Sequence, residues 1–211
     1  RDRIYSVNDN VPTDLVVGTF SDVKEALERL GVNLVPIDYP DELLPFTGRK
    51  IWQSTLFTIT SHPECWHVFV KPVIDVKRFR GTLLDKSEDL IKLGGGLEDI
   101  DVWCSEKVRF LSEWRIWILD GEIVGLSPYH GQWDLFPDAE VLKKAVQAYK
   151  SSPRAYALDF GVTDEGKTLL VEMSDAYALS SFGLDSVLYT KILIARWNEL
   201  TKDVKLSLIH I

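Results

Sequence analysis

Asp159 and Glu172 are the two acids of the stretch YALDFGVTDEGKTLLVEMSDAY, residues 156–177, that interrupt an otherwise apolar pattern. Its outer parts, AYALDFGV and KTLLVEM, read as strands, and TDEGK between them reads as a turn. Burying two carboxylates side by side is costly unless something cationic stands between them. Cross-strand neighbours can place both on one face. Two acids converging on one point are the usual protein contribution to a magnesium site, with waters and phosphate oxygens completing it. The alternative is that each acid pairs with its own arginine at a sheet edge.

Three further groups could join such chemistry. Lys71 ends the strand WHVFVKPV (66–73). It reads either as a solvated edge lysine or as a point charge presented at a rim, suited to a phosphate oxygen. In SEWRIWIL, Glu113 and Arg115 alternate in step, and Trp114, Ile116 and Ile118 face the other way into a core. These two form a structural pair, or Arg115 aims bidentate geometry at a phosphoryl or acyl phosphate. DVWCSEKV (101–108) is an apolar strand that ends in polar residues, and its backbone groups could read an adenine edge.

The elements that must position these residues follow from local pattern. DLVVGTF (14–20) and NLVPIDYP (33–40) read as short strands around a helix DVKEALERL, capped by Ser21 or Asp22 and ended by Gly31. GRKIWQSTLFTI (48–59) is compatible with a helix or a strand. KRFRGTLL (77–84) is a basic, glycine-containing turn and LGGGLED (93–99) a loop. Residues 108–131 form a long hairpin turning at Asp120-Gly121. Residues 137–150 and 183–200 carry helical spacing, while the tail KLSLIHI has no assignment. The class is α+β.

Composition narrows the function. The 211 residues are 45% hydrophobic, enough for a proper core. A net charge of −8 argues against nucleic acid as a partner, because phosphate-backbone binding needs a positive field. No apolar run reaches the length of a membrane span, and RDRIYSVNDN lacks the apolar core of a signal peptide. Cys65 and Cys104 lack metal spacing and read as reduced thiols. These features lead to the expectation of a cytoplasmic protein that acts on neither membrane nor nucleic acid.

Taken in order, the VKP strand, the glycine-containing loop, the connector at 101–108, the E-x-R hairpin and the final D…VE hairpin resemble the ATP-grasp superfamily of ligases. The likeness is greatest to its short bacterial and phage members. It implies two α+β lobes gripping a nucleotide cleft over residues 48–205, with a boundary near 105, and a small α/β unit over residues 1–47. It implies ATP and Mg²⁺ as cofactors. Lys71 would contact the α- and β-phosphates. Lys77, Phe79 and Gly81 would belong to a mobile loop over the phosphates, with Arg49 or Lys50 adding a contact. Ser105, Glu106 and Val108 would form the adenine connector, and Glu113 would lie towards ribose or metal. Arg115 would stabilise the phosphoryl being transferred, and Asp159 and Glu172 would hold magnesium. His130 is the histidine expected nearest the cleft.

One position departs from the family pattern. Ser174 stands where E-x-N has asparagine, followed by Asp175 as a substitute ligand if the strand end bends. A hydroxyl is a weaker magnesium ligand than an amide oxygen. The expected activity is a ligase joining a small-molecule or peptide carboxylate to an amine or thiol through an acyl phosphate. A nucleotide-binding or partner-docking module without turnover is the second reading. An α+β protein with purely structural acids is the third.

Overall fold

The computed structural model describes residues 15–74, 78–93 and 98–204. In chain order its regular elements are α1 (Phe20–Arg29), β1 (Ile51–Thr55), α2 (Leu56–Ser61), β2 (Val68–Pro72), β3 (Thr82–Leu84), β4 (Asp101–Glu106), β5 (Phe110–Leu119), β6 (Glu122–Gly131), α3 (Ala139–Ala148), β7 (Ala155–Thr163), β8 (Thr168–Asp175) and α4 (Ser186–Leu200). Short 3-10 turns lie between several of them. The chain divides into two compact units. One is Thr47–Arg109, and the other joins the residues up to Phe46 with those from Phe110 onward.

The Thr47–Arg109 unit is an antiparallel sheet in the order β1-β4-β2-β3. The segment compatible with helix or strand is both. β1 runs into α2 at Thr55, whose side chain accepts from the Thr58 N–H and so caps the helix. Val68, Val70, Val102 and Cys104 face Leu56 and Ile59 of α2 in the unit's core. The opposite face carries Phe69, Lys71, Trp103 and Ser105, which the register sets side by side.

The larger unit is built on a second antiparallel sheet, β6-β5-β7-β8. The β5–β6 hairpin turns at Asp120-Gly121, both at positive φ (49° and 83°), as a two-residue hairpin loop requires. β7 is buried along its whole length because both faces are covered. On one face Tyr156, Leu158 and Phe160 join Trp114, Ile116, Ile118 and α3 residues Leu142 and Ala145. On the other, Ala155 and Ala157 leave room for Ile192 and Ala195 of α4 beside Trp117. Asp138 caps α3 and Asp185 caps α4, each accepting two backbone N–H groups of the first turn.

The front of the chain differs from the expected strands. Residues 15–19 and 33–40 have no ladder partner among the described residues. Leu15 and Val16 bury their apolar side chains against α1 and Trp197 of α4, which satisfies the run without a sheet. In the second segment the prolines at 36 and 40 remove donors a ladder needs. It lies along β8 through a single bond, Met173 N–H to Asp38 C=O. The α1 cap is Thr19 rather than Ser21 or Asp22, and Asp22 accepts from the Thr19 N–H and hydroxyl. Gly31 ends the helix at φ 77° as expected. The tail from residue 205 lies outside the described residues, and so do Gly94–Leu97 of the loop at 93–99. No helix among the described residues is long and apolar enough to cross a membrane.

Two glycines test this backbone. A Cβ on Gly131 (φ 78°) would meet the Leu111 carbonyl oxygen at 2.1 Å, whereas one on Gly121 would meet nothing. Gly121→Ala should therefore cost only the left-handed backbone penalty, about 1–2 kcal/mol. Gly131→Ala adds overpacking and should cost about 2–4 kcal/mol. Urea unfolding of both variants checks the order, and equal losses would mean the approach at Leu111 is not as close as described.

Candidate functional site

The register of the larger sheet builds a row across its four strands. Arg115 on β5 pairs with Ser127 on β6 and Asp159 on β7, and Asp159 pairs with Glu172 on β8. Glu113 stands two residues along β5 from Arg115, and Ser174 two along β8 from Glu172, so both belong to the same face. This is the α4 face, where Trp117 and Ala157 continue as apolar surface. Half of that face is ionic and half apolar, as the alternation in SEWRIWIL implied.

Arg115 holds Asp159 in a fork: Nε donates to Oδ1 at 2.8 Å and Nη2 to Oδ2 at 2.6 Å. Both residues are buried. Asp159 thus pairs with an arginine, though on the two central strands and not at a sheet edge, and its partner is the same Arg115 assigned to the phosphoryl. The pair is not self-sufficient. Burial pushes the Asp159 carboxyl up to about 6, against the pull of Arg115, and the nearby charges of Glu172 and Glu113 push the same way. Burial works against the Arg115 cation, yet the bond and charge of Asp159, with Glu172 behind it, leave its pKa raised. Arg115 also keeps donors in hand. The Nη1 N–H groups have no hydrogen-bond partner among the described residues.

Glu113 is drawn to β6 instead. A bulge between Glu113 and Trp114 sets Tyr129 and His130 of β6 against one residue of β5. The Tyr129 hydroxyl donates to Glu113 Oε2 at 2.7 Å, and His130 Nδ1 lies 3.5 Å from Oε1. Burial and the charges of Asp159 and Glu113 raise the Tyr129 pKa, so the phenol stays a donor. A second bulge follows Asp159, where β8 carries Val171 as an extra residue. Such bulges re-aim side chains, and here they flank the ionic row on both sides.

Aromatic rings surround the guanidinium. Its central carbon is 4.7 Å from the Phe182 ring centroid, 5.8 Å from Trp117 and 5.9 Å from Tyr129. Sequence reasoning missed Tyr129 and Phe182. The bulge that brings in Tyr129 leaves no composition signal, while Phe182 lies in DAYALSSFG (175–183), a stretch whose sequence marks it only as a loop where an acceptor pocket would be sought.

The other assigned residues fall out as follows. Asp175 pairs in register with Tyr156, out of phase with Glu172, and Arg196 grips it at 2.7 and 2.6 Å. The structure does not bring it to the row, because the strand end turns it to Arg196 instead. In the smaller unit, Lys71 is buried on a central strand, not a solvated edge, and shares a sheet face with Ser105. Glu106 is tied to Lys50, accepting its N–H at 2.9 Å. Lys50 Nζ lies over the Trp52 ring, and Arg49 Nη1 donates to the Thr47 carbonyl. Val108 follows the end of β4, and its backbone groups have no hydrogen-bond partner among the described residues. Phe79 is buried in the core, and a Cβ on Gly81 would strike the Phe69 ring at 2.3 Å. These two are therefore packing positions. Lys77 lies outside the described residues.

The donor set fits a hard divalent cation. Asp159 and Glu172 present carboxylate oxygens from paired positions on adjacent strands. Among the described residues no group of three or more His, Cys, Asp and Glu could hold a metal by itself. Magnesium is ordinarily held by one or two carboxylates with phosphates and water completing the shell.

The Asp159 shift has a testable sign. Its folded-state pKa lies above the unfolded carboxylate value of about 3.9. Its contribution to stability is then complete below that value and lost as pH rises through about 6. In nucleotide-free protein, wild type should lose about 2–3 kcal/mol relative to Asp159→Asn between pH 4 and 7. Urea unfolding across that range measures the difference. A wild-type stability that instead rises relative to Asp159→Asn over this range would show that Arg115, not burial and the flanking acids, sets the carboxyl.

No curated protein matches the chain by sequence. Solved structures share its fold. Bacillus anthracis D-alanine–D-alanine ligase is 15% identical with a TM-score of 0.51, covering 87% of this chain and 68% of that one. Staphylococcus aureus N5-carboxyaminoimidazole synthetase, complexed with ADP, is 14% identical with a TM-score of 0.50, covering 82% and 49%. The chain thus spans about half the length of the synthetase. Over residues 46–192, most of its length, the chain matches an ATP-grasp domain family, the second family of its clade, and it belongs to that family.

Proposed function

We propose that the chain is an ATP- and Mg²⁺-dependent ligase that joins a carboxylate to an amine. The observation that carries this reading is the row Arg115–Asp159–Glu172, in which a buried guanidinium–carboxylate fork lies beside a second acid on the next strand. The ADP held by the S. aureus synthetase supports extending nucleotide binding to this chain. Asp159 and Glu172 would hold magnesium, with Ser174 beside them. When bound, the ion would neutralise phosphate charge. Lys71 would contact the α- and β-phosphates, and the backbone at Ser105, Glu106 and Val108 would read adenine.

Arg115 performs the central electrostatic task. Its Asp159-bound edge fixes the plane of the guanidinium, and its Nη1 donors meet the phosphoryl group. The substrate carboxylate would attack the γ-phosphorus with ADP leaving, and the amine would then attack the acyl carbon, forming the C–N bond as inorganic phosphate and a proton leave. Little covalent work falls to side chains, since phosphoryl transfer is catalysed mainly by positioning and charge stabilisation. Small-molecule and peptide carboxylates are both acceptable substrate classes.

A second reading has its own support. Ser174 is a weak ligand, and Asp175, which could replace it, is committed to Arg196. On that reading the fold serves as a nucleotide-binding module without turnover.

Isothermal titration with Mg-ATP separates these readings from a purely structural role. Binding should require Mg²⁺ and weaken at least tenfold, about 1.4 kcal/mol, in Glu172→Gln. Lys71→Ala should weaken it comparably. Equal binding by wild type and Glu172→Gln would take Glu172 off the metal. ADP formation with pooled carboxylates and amines distinguishes ligase from module, and its absence with every pool favours the module.

A further inference from the structure

Residues 179–185, between β8 and α4, form a strap across the α4 side of the larger sheet. Its two ends are fixed. The Tyr189 hydroxyl donates to the Leu179 carbonyl, and Leu184 occupies the space over Gly125, where a Cβ would meet its Cδ1 at 2.3 Å. Leu184 N–H also closes a turn on the Ser181 carbonyl. Between these anchors the backbone bends sharply: Phe182 has φ 43° and Gly183 has φ 83°. A left-handed conformation is natural for glycine and unfavourable for phenylalanine.

That conformation is not explained by burial of the ring, which is 43% exposed. Its neighbours are specific instead. The ring lies 4.7 Å from the Arg115 guanidinium carbon and 5.7 Å from the Tyr129 ring centroid. An exposed ring on strained backbone, set over a buried cation, is a poor arrangement for stability alone. Strain of this kind persists where the surroundings over-determine it, commonly at functional positions.

We propose that Phe182 is a positioning residue for phosphoryl transfer: its ring shields Arg115, holds the guanidinium plane, and keeps water away from the group Arg115 stabilises. This rests on the ligase reading. Stacking against an aromatic face suits a guanidinium and strengthens when solvent is excluded. Without the ring, water would reach the same place, its oxygen attacking the γ-phosphorus while ADP leaves and a proton passes to solvent.

Phe182→Asn and Phe182→Tyr test this, since asparagine tolerates the left-handed backbone and tyrosine retains the ring. In nucleotide-free protein, labelling of Arg115 by phenylglyoxal, followed by peptide mass and referenced to exposed Arg154, should be about tenfold faster in Phe182→Asn. It should stay near wild type in Phe182→Tyr. The melting temperature of Phe182→Asn should equal or exceed that of wild type, the reverse of what loss of a packing residue would do. With Mg-ATP and no acceptor, phosphate release should rise about tenfold in Phe182→Asn and be restored by Phe182→Tyr. Unchanged labelling, or faster labelling together with a lower melting temperature, overturns the proposal. So does unchanged phosphate release in a Phe182→Asn variant that binds Mg-ATP. If wild type binds no Mg-ATP, the ligase reading and the proposed role in transfer both fail, while the labelling result still decides whether Phe182 shields Arg115.

Discussion

A buried carboxylate that an arginine grips with two hydrogen bonds, yet does not fully satisfy, is the constraint on which the rest of this molecule turns. Arg115 and Asp159 form a fork of good geometry in a dry part of the sheet. Elsewhere such a pair would be a closed structural device, with desolvation roughly balancing attraction. Here Glu172 stands directly across from Asp159 and Glu113 two residues along from Arg115. Burial raises the carboxyl against the pull of the guanidinium, and these two charges add to the rise. On the ligase reading, a divalent ion carrying phosphate would bring its charge to this row.

The fold holds this arrangement with ordinary means. β7 is covered on both faces, so its backbone has little freedom to move Asp159. The α3 face is filled by large side chains, whereas the α4 face uses alanines at 155, 157 and 176 to let the helix approach Trp117. The ionic half begins where that apolar packing ends. Bulges on each side then alter which way side chains point. The one beside Glu113 sets Tyr129 and His130 on a single carboxylate, and the one after Asp159 adjusts β8 beyond Glu172. A rigid sheet with local irregularities is well suited to hold charges where side-chain freedom would blur them.

Much of this was legible from residues. The two acids emerged because an apolar alternation broke at 159 and 172, and the turn at Asp120-Gly121 emerged because only certain dipeptides suit a two-residue hairpin. Strands of period two survive in sequence because one face is forced to be apolar. The segments at 14–20 and 33–40 misled for the same reason. Their side chains are apolar because they pack on helices and along β8, and periodicity cannot separate that from a ladder. Segment 48–59 looked ambiguous because a strand passes straight into a helix at Thr55. The pairing of Arg115 with Asp159 could not be read at all: which acid faces which base across a sheet depends on register, and register depends on bulges that composition does not encode.

Gly81 and Phe79 show the limit of motif reasoning from the other side. A glycine beside basic residues suggests a phosphate loop, but here a Cβ at 81 would collide with Phe69 and Phe79 fills the core. The packing explanation is sufficient for both, so neither residue adds weight to nucleotide binding. Lys71 and Arg115 are different. Each is a cation withdrawn from water on a central strand. Withdrawing a cation costs free energy that a surface lysine or arginine would avoid, so retaining it calls for a compensating interaction. For Arg115, Asp159 supplies part of it and occupies only one edge of the fork. The free Nη1 edge is what a planar, multidentate cation offers and a lysine could not. It is this unspent geometry, more than the number of acids nearby, that favours phosphoryl recognition over a purely structural ion pair.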